Sequence, residues 1–452
     1  MAEPADRVPT RIALIYGTGQ LGAQIFRDTP AVLLPLFMTT MLGVPAWISG
    51  FVVLIPKLWL IICDPLVGAW SDRVKPRLGR TPFLVGGAVL TSLAFFVLFA
   101  TTAYSSPTVA ALALCGIFLL GSTAFSAFSV PYLAVASELS ANPHQRTRIM
   151  TFRIVFTTIG VVIGVGVAQP LIAAMGGGAA GWRGMGLVLG LICLASMLAT
   201  ALGLARIRLI PGEPSSGGML AQLAQVRGNR PFQVLLATCF IQAVGQASGY
   251  TVIGFIYFYV VKAVWIILPF VLLMSIAGIA AQPVWLALSR RYGKERCYVA
   301  ASLAWTLITA TWWFIHPADD VVWTMPGVGA LGTQHLLVLL RGILIGVVNS
   351  GFIMLSLSML TDTIDYERRH KGAANEGIYS GIFTAAEKLA FAMGPLIAGF
   401  VMSLFGFVSS TTGAAEQSPR ALTGIVLLYS LIPVATQLLS LAVFSRYRLP
   451  KD

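Results

Sequence analysis

Charge is what this sequence has least of. Only 10% of its 452 residues are Asp, Glu, Lys or Arg, against roughly a quarter in an average soluble domain. Acids are the scarcer kind, 17 against 30 bases, which leaves a net charge of +13. Hydrophobic residues make up 57% of the chain and the mean hydropathy is +0.83. So few charges cannot cover that much apolar surface in water. A soluble enzyme and a disordered chain are excluded. The same composition excludes a secreted disulfide scaffold, and the five cysteines, in or beside apolar runs with no CxxC spacing, are expected to be free and buried. Only four histidines occur, His144, His316, His335 and His370, all in or beside connectors. No HExxH, paired-histidine cluster or nucleophile elbow is present, so the sequence offers an enzyme no machinery. The first apolar run is too long for the core of a cleavable signal peptide.

Long apolar runs are abundant. A spanning helix needs about 20 mostly apolar residues. Twelve runs qualify, near 12–41, 45–70, 82–104, 108–138, 150–174, 183–205, 231–261, 264–288, 298–316, 334–361, 378–406 and 420–444. They are too long and too uniform for barrel strands. The expected fold class is an all-α membrane protein with 12 transmembrane helices. Lys and Arg in the connectors divide 22 against 3, the minority being Arg183, Lys262 and Arg420. That imbalance predicts an integral multi-pass protein of the cell (inner) membrane with both termini cytoplasmic. It also assigns the basic excess to the membrane surface, so no nucleic-acid partner is expected. The lipid bilayer and a small-molecule solute are the expected partners, for a monomer.

Residues 207–230 form the longest basic connector and begin with a Pro/Gly/Ser-rich stretch. They are expected to be a cytoplasmic linker with a short interfacial helix at 219–226. The domains on either side would be 1–206 and 231–452, each a six-helix bundle. The halves carry a faint repeat. Pro65 and Ser71 match Pro283 and Ser289 at a constant offset of 218 residues. Both are followed by a basic turn containing Gly79-Arg80 or Gly293-Lys294. Two six-helix bundles in parallel pseudo-repeat describe the major facilitator architecture.

Some charges fall inside the apolar runs: Arg27, Asp28, Lys57, Asp64, Arg153, Arg341, Glu387 and Lys388. Each costs roughly 2.5–3.5 kcal/mol at the bilayer centre on insertion scales. A scaffold or a non-transporting receptor could carry leucine there instead. Asp64 is the expected cation- or proton-coupling group, either paired with Lys57 on the same helical face or breaking that pair when protonated. Arg27 and Asp28, just before Pro30, read equally as a local pair at a kink or as a gate. Lys388, rather than the adjacent Glu387, is expected to reach solute. Arg153 is either a snorkelling interface cation or a solute contact, and Arg341 meets either a solute anion or a carboxylate. Gln24, Ser129, Tyr132 and Asn349 are polar groups at similar depth. They suit helix–helix hydrogen bonds or a solute site. Asp72, Arg73 and Arg80 after helix II, Glu138 after helix IV, and Asp362 and Asp365 after helix X suit a latch of charges. Gly17, Gly19 and Gly22 match GxGxxG but follow no strand, so they read as a helix-packing face. The same reading applies to the Gly160/Gly164 and Gly342/Gly346 pairs. No metal or cofactor is expected beyond a coupling H+ or Na+.

The motifs together resemble the glycoside–pentoside–hexuronide:cation symporters of the major facilitator superfamily, the melibiose permease-like family. The carriers are Tyr16 with Gly17 and Gly19, then Asp64-Pro65 with Gly68, Asp72 and Arg73, then Gly79-Arg80 and Pro82. Pro131-Tyr132, Glu138, Arg146, Arg148, Arg153, Asp362, Asp365, Glu376-Gly377, Tyr379 and Lys388 complete the set over roughly 12–448. The resemblance implies alternating-access transport of a small solute, carbohydrate or glycoside by default, coupled to H+ or Na+. It also implies a cluster of carboxylates that this chain lacks. Where the sugar–sodium members carry acids, Gln24, Leu60 and Ser129 stand here, and of that set Asp64 alone remains. The expectation is a reduced cation site or an uncoupled carrier. Positive charge in excess would suit an anionic or amphiphilic solute, such as an organic acid or lysolipid.

Overall fold

A computed structural model describes residues 8–140, 142–205, 207, 228–325, 329–371, 376–413 and 415–449. The linker helix expected at 219–226 lies outside these residues, as do Arg7, Arg206, Arg208, Arg227 and Lys451. Contacts divide the chain into two units, Met1–Pro214 with Val408–Glu416, and Ser215–Phe407 with Gln417–Asp452.

The first unit contains α1 (Thr10–Met41), α2 (Ala46–Leu78), α3 (Thr81–Ala100), α4 (Pro107–Glu138), α5 (Pro143–Val161), α6 (Ala168–Ala174) and α7 (Gly178–Leu204). A π-helical turn, Val162–Val167, joins α5 to α6 into one span. The second unit contains α8 (Arg230–Phe255), α9 (Ile267–Tyr292), α10 (Lys294–Ala310), α11 (Thr333–Lys371), α12 (Glu376–Leu404), α13 (Pro419–Tyr429) and α14 (Leu431–Phe444). The last two form one span broken at Ser430. A two-stranded antiparallel hairpin pairs Trp323–Met325 with Gly329–Leu331 before α11.

Among the described residues, eleven helical segments are long and apolar enough to cross a membrane. α1 is the remaining long helix. Gln20, Gln24, Arg27 and Asp28 interrupt its apolar sequence. α2 runs past residue 70 to Leu78, where Gly79 closes it, and α11 runs past 361 to Lys371. Ser106, Asn142, Asn229 and Ser418 accept backbone N–H groups at the starts of α4, α5, α8 and α13, the role these short side chains fill at N-caps.

The pseudo-repeat is visible in the packing inside each unit. α1 packs on α2, α5 and α7, α2 on α4, and α3 on α4 and α7. Six spans later, α8 packs on α12 and α14, α9 on α11, and α10 on α11 and α14. Gly79 and Gly293 close α2 and α9 with φ of 69° and 89°, each donating its N–H to the carbonyl four residues back. Here the repeat offset is 214 residues, not 218, because α9 ends one helical turn sooner after its serine. Segment 408–416 joins the first unit through Gly43 N–H to the Ser410 carbonyl and Ser410 N–H to the Thr39 carbonyl, both 2.8 Å.

The cysteines are free, as expected. The glycine motifs are packing faces. A Cβ on Gly22 would lie 2.8 Å from the Cys193 carbonyl oxygen, and one on Gly19 would lie 2.7 Å from Thr200 Oγ1. These contacts seat α1 on α7.

Candidate functional site

The first unit holds a polar ladder on the buried face of α1. Gln20, Gln24 and Asp28 follow one another at four-residue intervals, the spacing that stacks side chains along one helix face. Arg153 Nε on α5 donates to Gln20 Oε1 at 2.9 Å. Gln20 Nε2 donates to Gln24 Oε1 at 3.2 Å, and Gln24 Nε2 donates to Asp28 Oδ2 at 2.6 Å. Arg27 Nε meets Asp28 Oδ1 at 3.2 Å. Gln24 and Asp28 are buried, whereas the Arg27 side chain is 64% exposed. The opposite charge acting on Lys57 of α2 is Asp28.

Glycines of α5 make room for the ladder. A Cβ on Gly160 would sit 2.6 Å from Gln24 Cβ, so only hydrogen lets the two helices meet at this point. One turn on, Thr29 Oγ1 donates to the Gly164 carbonyl at 2.8 Å.

Asp64 lies half-buried on α2 and accepts from Ser126 Oγ of α4 at 2.6 Å. One turn earlier, Trp59 Nε1 donates to Thr123 Oγ1 at 2.9 Å across the same interface. No ion pair joins Lys57 to Asp64 among the described residues. The physical reason is axial distance, because seven helical residues rise about 10.5 Å.

Several predicted site residues are placed by packing. Tyr132 stacks on Tyr16 at 4.4 Å and donates to the Tyr16 carbonyl at 2.8 Å. Arg341, buried on α11, donates to Thr311 Oγ1 at 2.9 Å and to the Thr311 carbonyl at 3.1 Å, and lies over the Trp312 ring. Ser129 and Asn349 are half-buried on α4 and α11. Lys388 and Glu387 are exposed on α12, and Glu387 acts electrostatically on Cys239 of α8.

A second constellation closes one end of the first unit. Arg80, between α2 and α3, reaches Glu138 at the end of α4 through Nη2 at 2.6 Å and Nε at 3.1 Å. Its Nη1 donates to Ser71 Oγ at 2.9 Å, and its Nη2 also donates to Asp72 Oδ1 at 2.8 Å. Lys75 Nζ adds a 2.7 Å bond to Glu138. Burial pushes the Glu138 carboxyl up, but the hydrogen bonds and charges of Arg80 and Lys75 outweigh it and hold the group below its ordinary range. Burial likewise lowers Arg80, and the Glu138 and Asp72 contacts reverse that and raise it. The second unit repeats the device in smaller form, with Lys294 Nζ 2.7 Å from Asp362 in the last third of α11. Arg73 is exposed, and Asp365 pairs with Arg368 on its own helix.

The residue that sequence reasoning undervalued is Asp28. Its four-residue spacing from Gln20 and Gln24 was legible. The adjacent Arg27 supplied a local explanation for its charge and hid the longer ladder.

The MFS/sugar transport protein family matches residues 15–451. This chain belongs to that family. A putative glycoside/cation symporter, YagG of Escherichia coli (strain K12), is 24% identical over 442 residues, covering 96% of this chain and 91% of that protein. The isoprimeverose transporter of Lactiplantibacillus pentosus is 23% identical over 457 residues, 99% of this chain and 90% of its own length. Among solved structures, the nucleoside transporter NupG superposes with a TM-score of 0.67 at 14% identity, covering 96% of this chain and all of that one. A D-xylose–proton symporter gives 0.62 at 14% identity, with 95% and 97% covered. At such identities the solved structures establish the major facilitator fold. Helix content, family and fold agree on an integral multi-pass membrane protein.

Proposed function

We propose that this secondary transporter moves a carbohydrate or glycoside by alternating access, together with a proton or with Na+ at a reduced site. The observation that carries the reading is Asp64, a half-buried carboxylate inside the span formed by α2, hydrogen-bonded to the Ser126 hydroxyl. A carboxylate and a hydroxyl can exchange a proton with water or offer hard oxygens to a small cation. The described residues hold no cluster of three or more His, Cys, Asp or Glu, which favours the proton. The names of the relatives, a glycoside/cation symporter and an isoprimeverose transporter, support the solute class. The protein acts as a monomer in the inner membrane with both termini cytoplasmic, and it performs no catalysis. Arg80, Glu138 and Asp72 would hold the ends of α2, α3 and α4 as one piece during the transport cycle.

The test is uptake of labelled pentoses and β-glycosides into proteoliposomes under an imposed proton or sodium gradient. Asp64→Asn is expected to lower gradient-driven accumulation by about 5- to 150-fold, the usual span of a coupling free energy, while exchange of solute at equal gradients persists. Accumulation undiminished in this variant would show that Asp64 does not couple.

A further inference from the structure

We propose that the second unit holds a chloride ion in its interior, where the ends of α8 and α10 meet the openings of α9 and α11, with Arg341, Trp312 and Tyr257 as its donors. The ion is a resident anion, distinct from the solute, and the inference stands whether or not Asp64 couples.

The first observation is a buried charge without a counterion. Arg341 is 9% exposed. Among the described residues it forms no ion pair. The surrounding sequence gives the reason. α8, α9, α13 and α14 contain no Asp or Glu. Neither do the π-helical turn Ile256–Val260 after α8 and the 3-10 turn Thr311–Phe314 after α10. Glu295 of α10 stands in its first turn, about four helical turns from Thr311. Asp362, Asp365 and Glu367 of α11 lie about 30 Å or more further along that helix. Asp319 and Asp320, exposed in the connector before α11, are taken by His316 and Thr333. The bonds of Arg341 Nε and Nη2 go to the Thr311 hydroxyl and carbonyl, which are neutral. A buried cation calls for an anion to answer its charge.

The second observation is a set of buried donors without acceptors. Arg341 Nη1, Trp312 Nε1 and the Tyr257 hydroxyl have no hydrogen-bond partner, although Trp312 is 1% exposed and Tyr257 0%. Buried polar groups in this state are rare and ask for a physical account. The three share one neighbourhood. Arg341 Cζ lies 5.2 Å from the centroid of the Trp312 ring, and Tyr257 is within electrostatic reach of Arg341 and Tyr429. Phe270, in the first turn of α9, has its ring centroid 5.7 Å from that of Tyr257 and 5.8 Å from that of Trp312. A Cβ on Gly342 would stand 2.7 Å from Phe270, so Phe270 is seated against the turn of α11 that carries Arg341. Tyr429 packs on Trp312 from α13 at 4.8 Å, with the rings perpendicular.

Chemistry selects the occupant. A guanidinium and an indole can only donate, and the Tyr257 hydroxyl is free to join them. A water molecule would accept from two of these groups, bring two protons of its own and leave the charge unanswered. An anion accepts from all three and neutralises the guanidinium. Burial of every donor leaves no entry for a sugar-sized acid, and one guanidinium matches one negative charge. Chloride meets each condition, being small, monovalent and able to accept from any direction. Bound there, it would tie the ends of α8 and α10 to the opening of α11.

The test is thermal unfolding of the purified full-length protein in detergent, with chloride replaced stepwise by gluconate at fixed sodium and ionic strength. An ion bound only by the folded state stabilises it by mass action. The unfolding temperature should therefore climb with chloride and level off, and bromide should replace chloride. Tyr257→Phe and Trp312→Phe each remove one donor and keep a ring. Each should raise the chloride concentration that gives half the effect by about tenfold or more, the usual result of losing a hydrogen bond to a charged group. Arg341→Met should remove the chloride dependence altogether. Should that variant fail to fold, the two phenylalanine variants still decide. Bromide diffused into crystals should give an anomalous peak within hydrogen-bond reach of Arg341 Nη1 and Trp312 Nε1. The proposal is overturned if the wild type unfolds at the same temperature in chloride and gluconate, if the variants keep the wild-type chloride dependence, or if a water and no bromide sits at the cluster.

Discussion

Glu138→Gln is expected to destabilise the protein by about 3–5 kcal/mol, the usual cost of breaking a buried ion pair from one side. Arg80 is 6% exposed and Glu138 3%. Glutamine fits the space but offers a single neutral acceptor where the guanidinium and the Lys75 ammonium now share a carboxylate. The buried Arg80 would keep only Ser71 and the exposed Asp72. Arg80→Lys should cost nearly as much, because a point charge cannot reproduce the fork that meets Glu138, Ser71 and Asp72 together. Thermal unfolding in detergent, read as a double-mutant cycle with Arg80→Gln, measures the coupling. Wild-type unfolding of the Glu138→Gln protein would dismiss the cluster as a stabilising element. The pH dependence has a definite sign. The folded-state value of Glu138 lies below its unfolded one. Its contribution is therefore complete above the unfolded value, about 4.3, and fades as pH falls through the lower folded value. The wild type should lose this part of its stability in acid, and Glu138→Gln should not.

Gly346→Val is expected to do comparable damage in the second unit. A Cβ on Gly346 would lie 2.1 Å from the Met274 carbonyl oxygen and 2.9 Å from its carbon. Both are backbone atoms of α9 and cannot swing aside as a side chain can. From the facing helix, a Cβ on Gly278 would meet the Gly346 carbonyl at 3.2 Å. α9 and α11 thus touch backbone to backbone, the contact that small residues permit inside membranes. Overpacking costs about 1–3 kcal/mol where side chains can yield and more where they cannot. The variant should give little monodisperse protein, and Gly346→Ala should lower the unfolding temperature. Gly116→Ala on α4 meets nothing within 4 Å and serves as the neutral comparison. Equal unfolding temperatures for the Gly346→Ala and Gly116→Ala proteins would refute the close approach.

Both predictions rest on residues whose types were legible and whose partners were not. Gly342 and Gly346 announced a packing face by their spacing, and only the fold shows α9 on the other side. Arg80 and Glu138 were each candidates for a latch. They lie 58 residues apart in sequence, and their bidentate pairing requires α2, α3 and α4 to end at one level. Lys57 and Asp64 show the opposite case. Their spacing put them on one face and suggested a pair, but helical rise keeps them apart; Asp64 accepts from Ser126, and Lys57 feels the charge of Asp28. Tyr132 read as a helix–helix hydrogen bond or a polar solute contact and Arg341 as the partner of a solute anion or a carboxylate; Tyr132 makes its hydrogen bond to the Tyr16 carbonyl, and Arg341 is engaged by Thr311 and Trp312.

The sequence by itself determined the class of molecule. Scarce charge and repeated apolar runs admit only a helical membrane protein, because lipid cannot satisfy an open backbone. The uneven placement of Lys and Arg set the expected topology, and the matching turns announced two related halves. All of this is local or periodic information, which a linear chain carries in full. The tertiary structure alone decided which buried charge answers which. Coulomb and hydrogen-bond energies depend on separations of a few ångströms between different helices, and those separations are set by where glycines such as Gly160 and Gly22 let backbones meet. That is how Asp28, read beside Arg27 as a local pair at a kink or a gate, became the end of a ladder that begins on α5.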